Sequence, residues 1–73
     1  MYMKINSTIE IGKKLKERRQ KLGVTQQAIA KEHGMVYATV RAAEQGRDVS
    51  MRTLLNICES LKMRIYIVPT DNI

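Results

Sequence analysis

This sequence has one cysteine, one histidine, one proline and neither tryptophan nor phenylalanine among its 73 residues. The single cysteine, Cys58, cannot form a disulfide within the chain. With the single histidine, His33, it cannot complete the ligand set of a zinc site. We therefore expect no metal and no other cofactor.

Long apolar runs are also missing from the sequence. None approaches the ~18 residues that a membrane span requires, and residues 1–6 lack the apolar core of a signal peptide. We therefore expect a cytoplasmic protein with no membrane partner. A chain of 73 residues buries only about 60% of its unfolded surface, which leaves no room for a deep catalytic cleft. An enzyme is not expected.

Positive charge, in contrast, is abundant and unevenly distributed. The chain has 13 basic and 7 acidic residues, a net charge of +6. Residues 1–21 contain seven of the bases and two of the acids. A basic block of this kind favours binding to a polyanion, and nucleic acid is the commonest polyanion inside cells. A basic helix can also lie on acidic lipid or simply be solvated.

Local capping and stop signals predict four helices. Ser7 and Glu10 form a capping box at the start of the first, and Gly23 ends it. Thr25 and Ser50 are further N-cap residues, and Gly34 and Gly46 are further stops. The four predicted helices are residues 8–22, the segment from the Thr25 cap to about Glu32, residues 36–46 and residues 51–61.

The third and fourth predicted helices each have an apolar face. In the third, Val40 and Ala43 point inward, and the outward positions are Tyr37, Ala38, Arg41 and Ala42. In the fourth, the residues at helical spacing toward the core are Met51, Leu54, Leu55, Cys58 and Leu61. Cys58 is therefore expected to be a small buried apolar residue rather than a redox group.

From Met63 the hydrophobic period changes from that of a helix to strict alternation, which predicts a β-strand over residues 63–69. A strand needs a partner for its backbone groups. Residues 2–5 are one candidate, and the same strand of a second chain is the other. We favour the second, which gives a two-fold dimer whose interface comprises Met63, Ile65, Tyr66, Ile67 and Val68.

The second and third predicted helices, joined by a glycine turn, have the layout of a helix-turn-helix. A major groove about 12 Å wide admits one α-helix, and the preceding helix crosses the DNA backbone to hold it there. Ala30 is small where the two helices approach, and Gly34 can adopt the left-handed conformation that the sharp turn needs.

A longer string of residues is more specific than this layout. It comprises Ile11-Gly12, Arg19, Gly23, Thr25-Gln26, Ala30, Gly34, Val40, Glu44, Gly46, Ser50, Thr53-Leu54 and Leu61. This string resembles the Xre family of bacterial and phage regulators, which includes proteins similar to the lambdoid phage repressors and Cro. The resemblance covers residues 11–62. Beyond it, the predicted strand in place of a fifth helix resembles the HipB-like antitoxins.

The resemblance implies a fold class and a domain organisation. We expect an all-α, compact, four-helix, lambda-repressor-like DNA-binding domain with a C-terminal β-strand that pairs across a dimer. One domain would span residues 1–73, with a helical bundle over 8–62 and a dimerisation strand over 63–69.

The resemblance also implies DNA-binding residues. Gln26 corresponds to a glutamine that contacts a DNA phosphate, and Arg47 to a loop cation that does the same. Arg41 can donate a bidentate pair to guanine or bond a phosphate. Val36 replaces the Ser or Thr that usually caps the recognition helix, at a cost of roughly 1 kcal/mol. The expected base-contacting positions are Tyr37, Ala38, Arg41 and Ala42. Thr39 is a further DNA-binding candidate, expected to bond the backbone or stay partly buried.

Two further positions are expected to be structural. Arg19 and Glu44 match a family pair that fixes the recognition helix to its scaffold. His33 stands where the family prefers an apolar residue, and a partly buried neutral histidine is the expected state.

The functional expectation is a homodimeric transcriptional repressor on a palindromic DNA operator. A more specific form of this expectation is a HipB-like antitoxin that autoregulates its operon and binds a HipA-type kinase toxin. The alternative is an interaction module whose helix-turn-helix no longer contacts DNA, since Ala38 and Ala42 offer only methyl groups.

Overall fold

The computed structural model describes residues 3–72, and four α-helices make up most of this part of the chain. All four predicted helices are confirmed, with end points within two residues of those expected. Their bounds are α1, Thr8–Leu22; α2, Gln26–Glu32; α3, Tyr37–Glu44; and α4, Met51–Ser60. A short 3-10 turn follows at Thr70–Asn72. No helix in the described part is long and apolar enough to cross a membrane.

Side-chain oxygens cap three of the four helix starts. Ser7 Oγ accepts from the Glu10 N–H at 3.1 Å, Thr25 Oγ1 from the Ala28 N–H at 3.0 Å, and Ser50 Oγ from the Thr53 N–H at 3.0 Å. Each bond satisfies a backbone donor that the first helical turn leaves without an intrahelical partner. α3 differs, because Val36 precedes it and gives no side-chain cap.

The core lies where the four helices meet. Its fully buried side chains are Ile29 from α2, Val40 from α3, and Ile57 and Leu61 from α4 and its end. The other buried residues of the core are Leu15, Ala30, Ala43 and Cys58. The core therefore includes at least one side chain from every helix.

The predicted core face of α4 is partly wrong. Met51 is 65% exposed and Leu55 is 49% exposed, whereas Ile57 is fully buried. Helical spacing alone does not locate the centre of a broad apolar face, because Ile57 and Leu55 lie on its opposite edges. Packing against the core selects the edge that contains Ile57.

The predicted C-terminal β-strand is not formed within the described residues. Residues 63–69 have no regular secondary structure, and no strand ladder joins them to residues 3–5. Met63 packs against the core, but Ile67 is 96% exposed. Alternating apolar residues favour an extended segment with two faces, yet a strand also needs a neighbouring backbone. Residues 3–72 of one chain supply none. Tyr2, part of the other predicted partner, lies outside the described residues.

Candidate nucleic-acid interface

A sharp turn sets α3 across the end of α2. Gly34 lies in the turn with a φ of 65°, a left-handed conformation that side chains other than glycine rarely adopt. The Met35 N–H then donates to the Ala30 carbonyl at 2.9 Å, which closes the turn against the last residues of α2. The turn thus holds the two helices in contact in the order that a helix-turn-helix requires.

The outer face of α3 is open to solvent. Val40 and Ala43 face the core as predicted, and Tyr37, in the first turn of the helix, is 45% exposed. Ala38 and Arg41 are exposed, and Thr39 and Ala42 are partly buried. The outer face therefore offers a phenol, a methyl group and a guanidinium within two helical turns.

The loop after α3 adds one cation close to this face. Arg47 is exposed, and its backbone N–H donates to the Ala42 carbonyl at 3.0 Å, which fixes the loop to the helix. Gly46 precedes it and packs on α1, where a Cβ would lie 2.7 Å from the Cα of Ile9. Residue 46 must therefore lack a side chain for α3 to end this close to α1.

Arg19 and Glu44 form a bidentate ion pair between α1 and the end of α3. Arg19 Nε donates to Glu44 Oε2 at 2.6 Å, and Arg19 Nη2 donates to Glu44 Oε1 at 3.1 Å. The same guanidinium donates from Nη1 to the Val24 carbonyl at 3.1 Å. A buried carboxylate is stable only when it is paired and hydrogen-bonded, and both conditions are met.

Gln26 joins this pair, a contact that the sequence did not predict. Its Nε2 donates to Glu44 Oε1 at 3.0 Å, so the first residue of α2 is bound to the last residue of α3. Gln26 and Glu44 are 18 residues apart, too far for any local sequence pattern to associate them.

Two more polar contacts, at the end of α4, could not be predicted from the sequence because their partners are also far apart along the chain. Arg18 Nε donates to the Leu61 carbonyl at 2.9 Å, across 43 residues. His33 Nε2 lies 2.7 Å from Ser60 Oγ, and that hydroxyl donates to Glu32 Oε2 at 2.9 Å. His33 is partly buried. These bonds tie α1 and α2 to the point where the chain leaves α4.

The lysines of α1 are largely directed to solvent. Lys13, Lys16 and Lys21 are exposed, and Lys14 forms a surface ion pair with Glu17 at 3.5 Å. The two arginines of the helix, in contrast, are used in the internal contacts described above. The free positive charge of α1 is therefore carried by lysines, which act as long-range point charges rather than as bidentate donors.

The described residues provide neither a reactive thiol nor a cluster of metal-ligating side chains. Cys58 is 5% exposed, and burial raises the pKa of its thiol, which disfavours the reactive thiolate. Residues 3–72 include no group of three or more His, Cys, Asp or Glu side chains that could hold a metal ion.

α2 and α3 together form a helix-turn-helix unit. The outer face of α3 is open to solvent, and basic residues lie near it. The chain belongs to the helix-turn-helix family HTH_3, which matches residues 15–67. No curated protein sequence matches the chain.

Solved structures extend the likeness over almost the whole chain. A chain of a structure described as a HipA-HipB-O2-O3 complex is 30% identical with a TM-score of 0.86, covering 94% of this chain and 99% of that one. A chain described as a HipB-O4 20mer complex is 27% identical with a TM-score of 0.85, covering 94% and 99%. The resemblance to Xre-type, HipB-like proteins is confirmed.

A third solved structure is more distant. The restriction-modification controller protein C.AhdI from Aeromonas hydrophila is 28% identical with a TM-score of 0.70, covering 78% of this chain and 88% of that one. The fold is therefore shared with regulators beyond the HipB group.

Proposed function

We propose that this protein is a transcriptional repressor that binds a palindromic DNA operator as a homodimer and excludes polymerase from it. The observation that carries the proposal is the open face of α3, on which Tyr37, Ala38 and Arg41 face solvent while Val40 and Ala43 anchor the helix to the core. The relative described as a HipB-O4 20mer complex supports it.

The proposed DNA contacts divide into two groups. Arg41 donates to a guanine edge, and Tyr37 packs on a thymine methyl or bonds a phosphate. Gln26 and Arg47 contact phosphates and set the register of the protein on the duplex. The remaining base-facing positions are Ala38 and Ala42, and Thr39 bonds the DNA backbone or stays partly buried. Because alanines make only methyl contacts, much of the specificity would come from Arg41, Tyr37 and the shape of the DNA.

The proposed dimer uses the extended segment after α4. Ile65 and Val68 are 46% and 59% exposed, and Ile67 is 96% exposed, so their apolar surface is available to a second chain. Pairing these segments as two antiparallel strands would satisfy their backbone groups and cover the apolar side chains. The interface residues would be Met63, Ile65, Tyr66, Ile67 and Val68. Two recognition helices would then meet half-sites about one helical turn apart.

A more specific version of the proposal is an antitoxin that autoregulates its operon and binds a HipA-type kinase. It is supported by the relative described as part of a HipA-HipB-O2-O3 complex, of which this chain covers 99% at 30% identity. A kinase gene adjacent to this one would separate an antitoxin from a solitary repressor.

An interaction module that no longer contacts DNA is the second candidate. It is favoured by the methyl groups of Ala38 and Ala42 and by the missing side-chain cap at Val36. The exposed lysines of α1 favour DNA instead.

Binding to duplex DNA over a salt series tests the proposal. The duplex is taken from the region upstream of the gene, and a scrambled duplex of equal length is the control. We expect tighter binding to the first, and a log affinity that falls steeply with log salt concentration. Equal binding to both duplexes with a shallow salt dependence would favour the interaction module.

A further inference from the structure

Glu44 is the most enclosed polar side chain in the described part of the protein, with 4% of its surface exposed. It accepts three hydrogen bonds, two from Arg19 and one from Gln26. The two bonds from Arg19 already join α3 to α1. The third bond reaches a residue to which the proposed function assigns a phosphate contact, and it requires a separate explanation.

The chemistry of the third bond fixes the orientation of the Gln26 amide. A carboxylate paired with arginine can only accept hydrogen bonds, so the amide must turn its NH₂ group, and not its carbonyl, toward Glu44. One N–H of this group is then used at 3.0 Å. The second N–H is left to donate to another acceptor.

A phosphate oxygen also only accepts hydrogen bonds. An unrestrained glutamine presents either its NH₂ group or its carbonyl to a phosphate, and the carbonyl is repelled. Glu44 excludes the unfavourable orientation before DNA arrives. Arg19 neutralises the carboxylate, so the phosphate is not repelled by a bare negative charge close to Gln26.

We propose that Glu44 is a positioning residue for DNA binding, which orients the Gln26 amide so that it offers a donor to a backbone phosphate. The proposal rests on the proposed function, because it needs Gln26 to contact DNA. A purely structural Glu44 would hold α3 in place and affect DNA binding independently of Gln26.

A double-mutant cycle separates these two roles. Duplex affinity is measured for wild type, Glu44→Gln, Gln26→Ala and the double variant, on upstream and scrambled DNA. We expect Glu44→Gln to weaken binding to both duplexes by about three- to tenfold, and to cause no further loss once Gln26 is alanine. An equal loss in both backgrounds overturns the positioning role and leaves the proposed function intact.

The control variant is Glu59→Gln on the exposed side of α4, which makes the same change in net charge away from the ion pair. Its affinity should stay within about twofold of wild type. A loss as large as that of Glu44→Gln would show that the effect is not specific to position 44 and would overturn the proposal.

Because Glu44→Gln removes half of a buried ion pair, a measurement on the wild type keeps the test independent of folding. The two side-chain amide protons of Gln26 are followed by NMR while duplex DNA is added. We expect the proton directed away from Glu44 to shift far more than its partner. Equal shifts of both protons overturn the proposal, and a wild type that binds no duplex overturns it together with the proposed function.

Discussion

Gly12 of α1 packs directly against the backbone of the last turn of α3. A Cβ at position 12 would lie 2.7 Å from the carbonyl oxygen of Ala43, and closer still to that of Glu44. Both atoms belong to the backbone and cannot rotate away. Together with Gly46, the absence of a side chain at position 12 therefore sets how closely α3 approaches α1.

Gly12→Ala should lower the free energy of unfolding by about 1–3 kcal/mol, because the helices must separate to admit the methyl group. This loss should appear even though alanine favours helix more than glycine does. Urea unfolding measures it. Lys13→Ala, at an exposed position of the same helix, is the control and should change stability little. A Gly12→Ala protein as stable as wild type would contradict the close packing.

Val36→Thr should stabilise the protein by about 0.5–2 kcal/mol. Val36 precedes α3 without a side-chain cap, and it is 68% exposed. Threonine keeps its shape and adds an oxygen that can accept from the first turn. Thermal unfolding measures the gain. Val49→Thr is the matched control, since Val49 packs against the core and the same hydroxyl should destabilise it. The cap interpretation fails if Val36→Thr brings no gain.

Arg41→Ala and Gln26→Ala should affect DNA binding differently. Loss of Arg41 should cost about 1–3 kcal/mol on the preferred duplex and much less on scrambled DNA. Loss of Gln26 should weaken binding to both duplexes alike, since a phosphate contact is independent of sequence. Fluorescence anisotropy on both duplexes measures the difference. Equal losses on specific and scrambled DNA for both variants would refute this division of roles.

Ile65→Pro should convert the protein to monomers or unfold it. Proline removes a backbone donor and is excluded from the interior of a paired strand. Sedimentation velocity gives the oligomeric state, and circular dichroism reports whether the helices persist. Thr70→Pro, outside residues 63–69, is the control and should remain dimeric. A dimeric Ile65→Pro protein would place the interface elsewhere.

Cys58 should react slowly with iodoacetamide in the native protein. The control for this reaction is Glu59→Cys in a Cys58→Ala background, which exposes a thiol one residue away.

Burial raises the pKa of Cys58, so the folded state favours the protonated thiol. The resulting stability is complete below the pKa of an unfolded thiol, about 8.5, and declines as the pH rises above it. Wild type should therefore lose part of its advantage over Cys58→Ala as the pH rises above that value, and urea unfolding at about pH 7 and about pH 10 tests this.

The helices were predictable because their signals are local. Ser7, Thr25 and Ser50 each precede a helix and bond a backbone N–H three residues later, so a short stretch of sequence contains the whole interaction. The outer face of α3 follows from helical periodicity around the buried Val40. The main outline of the candidate interface was therefore available from the sequence.

The remaining features depend on distant residues. The bond between Gln26 and Glu44 and the bond from Arg18 to Leu61 arise only once the helices are packed. The alternation after Met63 predicted an extended two-faced segment, but periodicity carries no information about which backbone pairs with it. A strand was therefore predicted where the described part of one chain contains no strand partner.

The chain of hydrogen bonds from His33 through Ser60 to Glu32 assigns a donor to each bond. A hydroxyl has one proton, and Ser60 gives it to Glu32, so Ser60 can only accept from His33. The Nε2 atom of His33, 2.7 Å away, must then carry a proton and donate it to Ser60. The link between α2 and the end of α4 therefore runs in one direction, from the imidazole through the hydroxyl to the carboxylate.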